Sequence, residues 1–502
     1  MVGAGSAGCA LAARLSENAD RSVLLLEAGP AFDRLADFPA ELADAYSLAG
    51  TAPDNAYNWS FVGELIPQRR YPVPRGRVIG GSSALNASYF VRGRPTDFDA
   101  WAAAGNTEWS FEKVLPFFIR LESDSDFDDE WHGGAGPVPV RRTPCDQLHP
   151  ASQAFYDACR ELGFADEPDK NAPGRAGVGR IPLNIRDGVR VNAAMAYLLP
   201  NLHRPNLRVC GDSTVRRVLF AGRRAIGVEV ERGGLRQLVH ANEVVLCAGA
   251  VKSAQLLMLS GIGPHEQLRA QQIEVVADAP GVGHDFTDHP SLAVYYRSPA
   301  MAVRSADGSF LQIALNTASS GSAAGAEILC YTAPFEQLVT GSAPRDAALA
   351  LGVSVQQEDS RGELRLVSSD PDIQPTLSYH YLGADSDLRR LRAVVRLAAE
   401  LLSTSAYRRA GATRASPPDE ALADNTLLDA WMAQNLSTSV HLSGTCRMGP
   451  DEDPLAVVDQ YCRVRGVRGL RVVDTSIMPR VTSRGPSATA IMLGERASAF
   501  FG

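Results

Sequence analysis

Three glycines near the start of the chain have the spacing that a dinucleotide site requires. They form Gly3-x-Gly5-x-x-Gly8, and Glu27 follows about twenty residues later, at the end of an apolar run. Glycines in such a turn let the backbone approach a pyrophosphate at a helix N-terminus, and the later acid binds ribose hydroxyls. The motif therefore predicts a dinucleotide site. The acid disfavours the extra phosphate of NADP, and the motif alone does not separate FAD from NAD.

A second glycine-rich segment, Gly80-Gly81-Ser82-Ser83-Ala84-Leu85-Asn86, can also bind an anion. Consecutive glycines and serines present backbone N–H groups, and Asn86 adds a carboxamide. By itself the segment fits an ordinary loop equally well. Beside the first motif, we interpret it as a second loop against the same cofactor.

The last sixty residues carry a third group of candidates. His441 lies in a Gly/Thr-rich turn, the strand-like run Leu470–Val473 ends in Asp474, and a loop rich in Pro and Gly follows over Met478–Pro486. A cofactor-binding start and a histidine-bearing end are typical of a redox domain that is discontinuous in sequence.

The elements around these residues predict an α/β protein. Residues 1–30 have the pattern strand, turn, helix (Cys9–Leu15) and buried strand (Ser22–Leu26). The strand before Gly3 is nearly missing, so we expect either a very short strand or a truncated or mis-assigned start. Residues 205–250 alternate as short strands with turns, and 290–430 combine strand-like pieces with one long helix, Asp387–Leu402. This last region predicts an α+β domain inserted into the first.

Composition narrows the function classes. The 502 residues are 45% hydrophobic and 21% charged, with a net charge of −8, which argues against a nucleic-acid partner. No run has the roughly 18 apolar residues of a membrane helix, and no secretory signal is visible. The eight cysteines form no CxxC and the nine histidines no HExxH, so we expect reduced thiols and no metal site. These features predict a cytoplasmic protein, with peripheral membrane association left open.

The chain resembles the glucose–methanol–choline (GMC) flavoprotein oxidoreductases over essentially its whole length. Five stretches carry the resemblance: Gly3–Gly29, Gly76–Arg92 with Pro95–Trp101, Gly249–Pro264, Pro280–Pro290, and His441–Glu495. The resemblance implies a Rossmann-like FAD-binding domain with an inserted α+β substrate domain. We place the FAD-binding domain at 1–140, 200–290 and 440–502, and the substrate domain at 141–199 and 291–439.

The resemblance also assigns roles. It implies that His441 is catalytic, because an alcohol that gives hydride to flavin must also lose its hydroxyl proton, and an imidazole can accept it. It implies FAD binding by Gly3, Gly5, Ser6, Ala7, Gly8, Glu27, Gly80, Gly81, Ser82, Asn86, Val215 and Asp474. A histidine tethers FAD covalently in some relatives just before the asparagine, where this chain has Leu85, so we expect non-covalent FAD. His289, in an Asp-His-Pro string, is expected to shape the cofactor pocket.

One position departs from the family pattern. Counting from both His441 and Glu495 places the usual second catalytic His or Asn at Gly485, which has no side chain to offer. Either His441 works alone, or Ser483 or Arg484 reaches in, or the space admits a larger substrate.

Four short strings resemble the mycofactocin-associated branch of the family: Trp131–Arg142, Pro182–Arg190, Val458–Tyr461 and Arg484–Pro486. This resemblance implies reoxidation of a reduced peptide-derived redox cofactor, with electrons passed to an unknown acceptor and onward towards respiration. A dehydrogenase or oxidase of choline, aryl or other small alcohols is the alternative, although the sequence reveals no anionic or aromatic cage for choline. A lyase with structural FAD is a third, more remote possibility.

Overall fold

A layer of parallel strands positions the first glycine motif. In the computed structural model, which describes residues 1–301, 303–305, 308–318, 321, 325–342 and 347–501, Val23–Leu26 pairs in parallel with Leu207–Cys210. Val2 bridges Leu26 on one side and Leu246 on the other, so the first strand is a single bridging residue. Val244–Leu246 continues the layer and pairs in parallel with Leu470–Val472. The C-terminal segment thereby returns beside the N-terminal turn.

Two helices pack together on this layer. The first, Ser6–Leu15, begins three residues earlier than the sequence predicts and is buried along most of its length. The second is Ser487–Ala497, whose Gly494 faces the first helix so closely that a Cβ there would lie 2.3 Å from the Ala7 carbonyl oxygen. Glycine is therefore required at this crossing, because any side chain would push the two helices apart.

The β-rich region predicted at 205–250 is an antiparallel sheet of Thr214–Ala221, Arg224–Arg232 and Leu235–His240, flanked by the parallel strands Leu207–Cys210 and Val244–Leu246. The first of these strands brings Val215 to the cavity described below.

A second, larger sheet lies beyond the cofactor-side layer. Its path runs through Thr413–Ser416, Pro290–Arg297, Leu349–Val355, Ala326–Tyr331, Leu311–Asn316 and Val178–Arg180, with Ser437–Thr438 also paired to Pro290–Arg297. The long predicted helix, observed at Asp385–Leu402, packs on this sheet. Leu391, Val394, Ala398 and Leu401 recur at helical spacing and are fully buried, so burial of one face explains why this segment is a helix.

A hairpin of Phe61–Ile66 and Arg69–Val73 joins Thr376–Ser378 and Glu363–Arg365 in a four-stranded sheet. Short strand pairs form between Glu122–Asp124 and Val138–Val140, Ile185–Arg186 and Val189–Arg190, and Ile262–Gly263 and Ala277–Asp278. The other α-helices are Ala40–Ala43, Pro95–Ala103, Phe111–Leu121, Pro150–Glu161, Gly249–Leu259, His265–Ala270, Phe335–Thr340, Ser405–Arg409, Asp419–Ala423 and Asn425–Asn435.

The apolar cores follow the two sheets. One core gathers the cofactor-side strands and helices, and a second gathers the larger sheet with the helix Asp385–Leu402. Leu364, Leu377 and Tyr379 belong to the first core, although the sequence places them in the substrate domain. The domain boundaries themselves stay a prediction. None of the helices in the described ranges is long and apolar enough to cross a membrane.

Candidate active site

The turn after Val2 is shaped by glycines that cannot be replaced. Gly3 has a φ of +98°, and a Cβ there would lie 2.4 Å from the Cys247 carbonyl oxygen, while a Cβ on Gly8 would lie 2.1 Å from the Gly3 carbonyl oxygen. The turn leads into the helix that begins at Ser6, where Gly5 provides no side-chain cap and the first turn has no acid. Its N–H groups are therefore open to an anion.

Glu27 lies at the end of the strand Val23–Leu26, and its side chain lines the same cavity as Gly3 and Ser6. Its two carboxylate oxygens accept the backbone N–H groups of Ala4 and Gly29, each at 2.9 Å. Burial raises the pKa of Glu27 to about 7. The backbone thus fixes the carboxylate, and a lone pair on each oxygen remains for a ribose hydroxyl.

The second glycine-rich segment packs directly against the first. A Cβ on Gly81 would lie 2.7 Å from Gly5 Cα, and both Gly80 and Gly81 have positive φ. Ser82 Oγ accepts the Gly76 N–H at 3.1 Å, and Asn86 Nδ2 donates to Ser487 Oγ at 3.1 Å. Two loops about 75 positions apart in sequence therefore form one surface. Leu85, which directly precedes Asn86 in the second segment, is buried and has no nucleophilic atom.

Asp474 connects two segments of the chain through hydrogen bonds to its carboxylate. One of its carboxylate oxygens accepts the Gly249 N–H at 2.9 Å and the Ser253 hydroxyl at 2.6 Å, and the other accepts the Ser476 N–H at 2.8 Å. These contacts tie the start of the helix Gly249–Leu259 to the C-terminal strand. Burial raises the pKa of Asp474. The expectation that Asp474 meets the ribityl–phosphate region stays a prediction.

One cavity of about 860 Å³ connects these groups. Its lining includes Gly3, Gly5, Ser6, Ala7, Glu27, Gly81, Ser82, Asn86, Val215, His441 and Asp474. Gly8 and Gly80 stand behind the wall, where their missing side chains permit close packing. The structure thus brings nearly all of the sequence candidates to one surface.

His441 is held by two neighbours that precede it by about 150 residues. Its Nδ1 lies 2.9 Å from Nδ1 of His289, with the rings nearly perpendicular at 83°. Asp288 Oδ1 accepts the backbone N–H of His289 at 2.7 Å and that of His441 at 2.8 Å. Sequence reasoning assigned His289 to the cofactor pocket and missed this contact. The Asp-His-Pro string was the one signal that could have pointed to it.

Both imidazoles are neutral near pH 7. Burial, the neighbouring His289 and the charge of Arg75 hold the pKa of His441 well below its usual range. Burial lowers the pKa of His289 to about 3, and it raises that of Asp288 to about 6. Because Nδ1 faces Nδ1, one ring must donate a proton and the other must accept it. A neutral His441 can therefore accept a proton at Nε2 only if its own proton is on Nδ1.

Gly485 lies opposite the reactive edge of His441. A Cβ there would be 3.5 Å from both Nε2 and Cε1 of His441 and 3.6 Å from Cδ1 of Tyr89. The two side chains considered as substitutes point elsewhere. Ser483 Oγ donates to Asp97 at 2.9 Å, and the Arg484 guanidinium donates to the Lys170 carbonyl and to Glu167. His441 and Gly485 thus line the same cavity, and the second polar side chain that the family resemblance predicts at this position is missing.

Comparison with known proteins identifies the family of this chain. The family model described as GMC oxidoreductase matches residues 1–291 and 358–494. The chain belongs to the GMC oxidoreductase family. It is 43% identical to an uncharacterized GMC-type oxidoreductase of Rhodococcus erythropolis, covering 99% of this chain and 97% of that protein. It is 35% identical to an oxygen-dependent choline dehydrogenase of Brucella anthropi, covering 99% and 94%.

A solved structure agrees with this GMC assignment. Pyridoxine 4-oxidase from Mesorbium loti superimposes with a TM-score of 0.90 at 31% identity, covering 100% of this chain and 98% of that one. A formate oxidase structure, at 22% identity and a TM-score of 0.91, shares the fold. The expected α/β flavoprotein fold is confirmed.

The GMC enzyme is an FAD-dependent oxidoreductase. Its own residues fit that cofactor: the N–H groups at Ser6 are uncapped, the two glycine loops touch, and Glu27, which the sequence predicts to bind the ribose, lines the same cavity. Leu85 stands where a tethering histidine would be, which agrees with non-covalent FAD.

A buried polar network, which the sequence did not reveal, begins at Tyr89, beside Gly485. Tyr89 donates its hydroxyl to Glu327 at 2.8 Å, and Asn316 donates to the same oxygen at 3.0 Å. Lys170 Nζ donates hydrogen bonds to Asn316 Oδ1 at 2.9 Å and to Glu167 Oε2 at 2.7 Å. Tyr89, the pair Glu167 and Lys170, and the pair Asn316 and Glu327 come from three segments that lie far apart in the chain, so no local pattern could indicate the network.

A second buried cluster has the residue types of a metal site. Ligand atoms of Glu122, Asp124 and His132 lie within 4.8 Å of one another. Arg92 donates to Glu122 and Arg142 to Asp124, so cations already neutralise these acids. Burial disfavours a charged His132, but its carboxylate partners outweigh burial and raise its pKa to about 11. Each of the three side chains already has a charged partner in the structure, so we interpret this group as an ion-pair cluster.

Proposed function

We propose that the enzyme oxidises CH–OH donors, with His441 Nε2 accepting the hydroxyl proton. One observation carries the proposal: the buried His441 lines the cavity, with its Nε2 beside Gly485. Burial also holds the pKa of His441 well below its usual range, so that the neutral imidazole can accept a proton. FAD, when bound, supplies the acceptor for the hydride that leaves the alcohol carbon. Gly3, Gly5, Ser6, Ala7, Gly8 and Glu27 would hold its ADP half, and Gly80, Gly81, Ser82 and Asn86 would lie beside the pyrophosphate and flavin. Val215 would meet the adenine.

His289 is the positioning residue in this scheme. We assign the proton of His289 to Nε2, for which the described residues provide no hydrogen-bond partner, so that its Nδ1 carries a lone pair. His289 is then free to accept at Nδ1 the proton that His441 donates from its own Nδ1. This arrangement leaves the His441 Nε2 lone pair unprotonated for the substrate.

Reduced mycofactocin is the donor that we propose, with electrons passing onward to a separate acceptor towards respiration. Two features support it: the four strings that resemble the mycofactocin-associated branch, and the missing side chain at Gly485, which leaves room for a bulky donor. Purified FAD-loaded protein, mixed anaerobically with reduced mycofactocin, is expected to lose its oxidised flavin absorbance. A spectrum that stays oxidised would reject this donor.

The same assay tests the catalytic histidine. His441→Ala is expected to slow flavin reduction by roughly 10²–10⁴-fold, the usual contribution of a general base, while FAD content stays unchanged. Equal rates in the variant and the parent protein would exclude His441 as the base.

Small alcohols are the second candidate donors, because the relatives include choline dehydrogenases and a pyridoxine 4-oxidase. Anaerobic mixing with choline and with aryl alcohols distinguishes this candidate from the first. Repeating the reaction with oxygen then separates an oxidase from a dehydrogenase.

A further inference from the structure

Aromatic side chains line the cavity that also contains His441. Tyr71, Tyr295, Tyr331 and Phe335 contribute to its walls together with Tyr89. Tyr331 and Phe335 meet edge to face at 79°, with their ring centres 6.4 Å apart. Such walls suit either a ring-bearing molecule or a quaternary ammonium, so the aromatic residues alone do not select between them.

The carboxylates of the cavity separate these two possibilities. Among the described residues that line it, the acids are Glu27, Glu327, Asp372 and Asp474. Glu27 and Asp474 bind backbone N–H groups at the cofactor turns, and Asp372 pairs with Arg216 at 2.6 Å. Glu327 is therefore the one acid of this group that stands beside Tyr89 and the donor space.

Glu327 is not a free anion. Its oxygens accept hydrogen bonds from Tyr89 at 2.8 Å, Asn316 at 3.0 Å and Gln356 at 3.4 Å. Its side chain is also only 2% exposed. A ligand cation would therefore have to compete with three donors that are already in place.

The charge of Glu327 is also balanced. Lys170 Nζ has three acceptors, Glu167 at 2.7 Å, Asn316 at 2.9 Å and the Gly177 carbonyl at 3.3 Å, which match the three N–H bonds of an ammonium group. Arg484 pairs with Glu167 as well. Two cations and two carboxylates thus leave this buried network with no net charge.

A positive charge borders the same space. Arg75 lines the cavity, and its charge lowers the pKa of His441, after the larger effects of burial and His289. A cationic donor placed against His441 would meet the same repulsion. Neither the neutralised network around Glu327 nor the charge of Arg75 opposes an uncharged donor.

We propose that the donor space selects an uncharged, ring-bearing alcohol and discriminates against a quaternary ammonium alcohol. This selection rests on the proposed oxidation of CH–OH donors, and it narrows the class of alcohol. It also separates this chain from its choline dehydrogenase relatives, to which it is about 35% identical.

Two alcohols of the same shape provide the test: para-tert-butylbenzyl alcohol and its para-trimethylammonio analogue, which differ only in charge. Their Kd values would be measured by calorimetry on FAD-loaded protein that dithionite has already reduced, so that binding is observed without turnover. The uncharged alcohol is expected to bind at least about tenfold more tightly, because an uncompensated cation is costly to bury. Equal or tighter binding of the ammonium alcohol, or no binding of either, would overturn the proposal.

A variant tests the charge balance itself. Lys170→Met removes one cation from the network and is expected to reduce the preference for the uncharged alcohol by at least about threefold. Lys113→Met, which removes a surface ion pair with Glu108, is the matched control and should leave the preference unchanged. An unchanged preference in folded Lys170→Met would contradict the role of the network. If that variant does not fold, the comparison on the parent protein still decides.

These binding measurements are independent of the donor assay. Failure of reduced mycofactocin to bleach the flavin would remove that donor and leave the charge preference measurable. Tight binding of the ammonium alcohol would remove the charge preference and leave the oxidation chemistry untouched.

Discussion

Gly485→Asn introduces the type of side chain that the family resemblance predicts opposite His441, and it tests why this chain lacks it. The position accepts a side chain without backbone strain, because Gly485 does not have a positive φ. A Cβ there makes ordinary van der Waals contacts of 3.5 Å with His441 and 3.6 Å with Tyr89. The protein should therefore fold normally, and any effect should arise in the donor space.

The carboxamide beyond that Cβ has two opposite consequences. For a small alcohol it adds a hydrogen bond of about 0.5–1.5 kcal/mol, which corresponds to a gain of roughly 2–12-fold in kcat/KM. For a bulky donor it occupies needed space, and overpacking of about 1–3 kcal/mol corresponds to a loss of roughly 5–150-fold. Selectivity for small donors over bulky ones should therefore rise by at least about tenfold.

Anaerobic stopped-flow bleaching of the flavin measures both rates, with reduced mycofactocin as the bulky donor and benzyl alcohol as the small one. Gly485→Ala is the matched control, since its methyl group fits at contact distance and should change either rate by less than about threefold. Unchanged turnover of the bulky donor by Gly485→Asn would refute the idea that the missing side chain makes room.

Four further outcomes follow from the geometry. In FAD-saturated protein, flavin reduction should stay pH-independent down to about pH 6.5, above the titration of Asp288 at about 6, because the lowered pKa of His441 keeps it neutral there; a rate already halved at pH 6.5 would contradict this. His289→Leu should slow reduction more than His289→Asn, whose carboxamide oxygen can still accept the His441 proton, and equal rates would argue against positioning. Glu27→Ala should weaken FAD binding by roughly 10–150-fold in Kd, the effect of losing hydrogen bonds to a charged group, as measured by FAD retained after dialysis. Gly494→Ala should lower the thermal unfolding temperature, since its Cβ would lie 2.3 Å from a carbonyl oxygen, whereas Gly134→Ala, with nothing within 4 Å, should not.

The cofactor side of the protein could be predicted from sequence because its signals are local. Gly3, Gly5 and Gly8 lie within six residues, and a turn that needs glycine at those positions can be recognised without knowing the rest of the fold. The helix Asp385–Leu402 could equally be predicted from sequence, because its apolar residues recur at helical spacing within one continuous segment. Counting along the chain also indicated Gly485 as the departure opposite His441.

Only the tertiary structure decided the electrostatics around His441. His289 and His441 are 152 residues apart, and nothing in either neighbourhood shows that their Nδ1 atoms meet. The same holds for Glu327 and Lys170, which belong to different elements and are joined through Asn316. A single sequence gives the number of acids and bases but not which of them are buried together. Whether the carboxylate beside the donor is free or neutralised therefore depends on packing between distant segments.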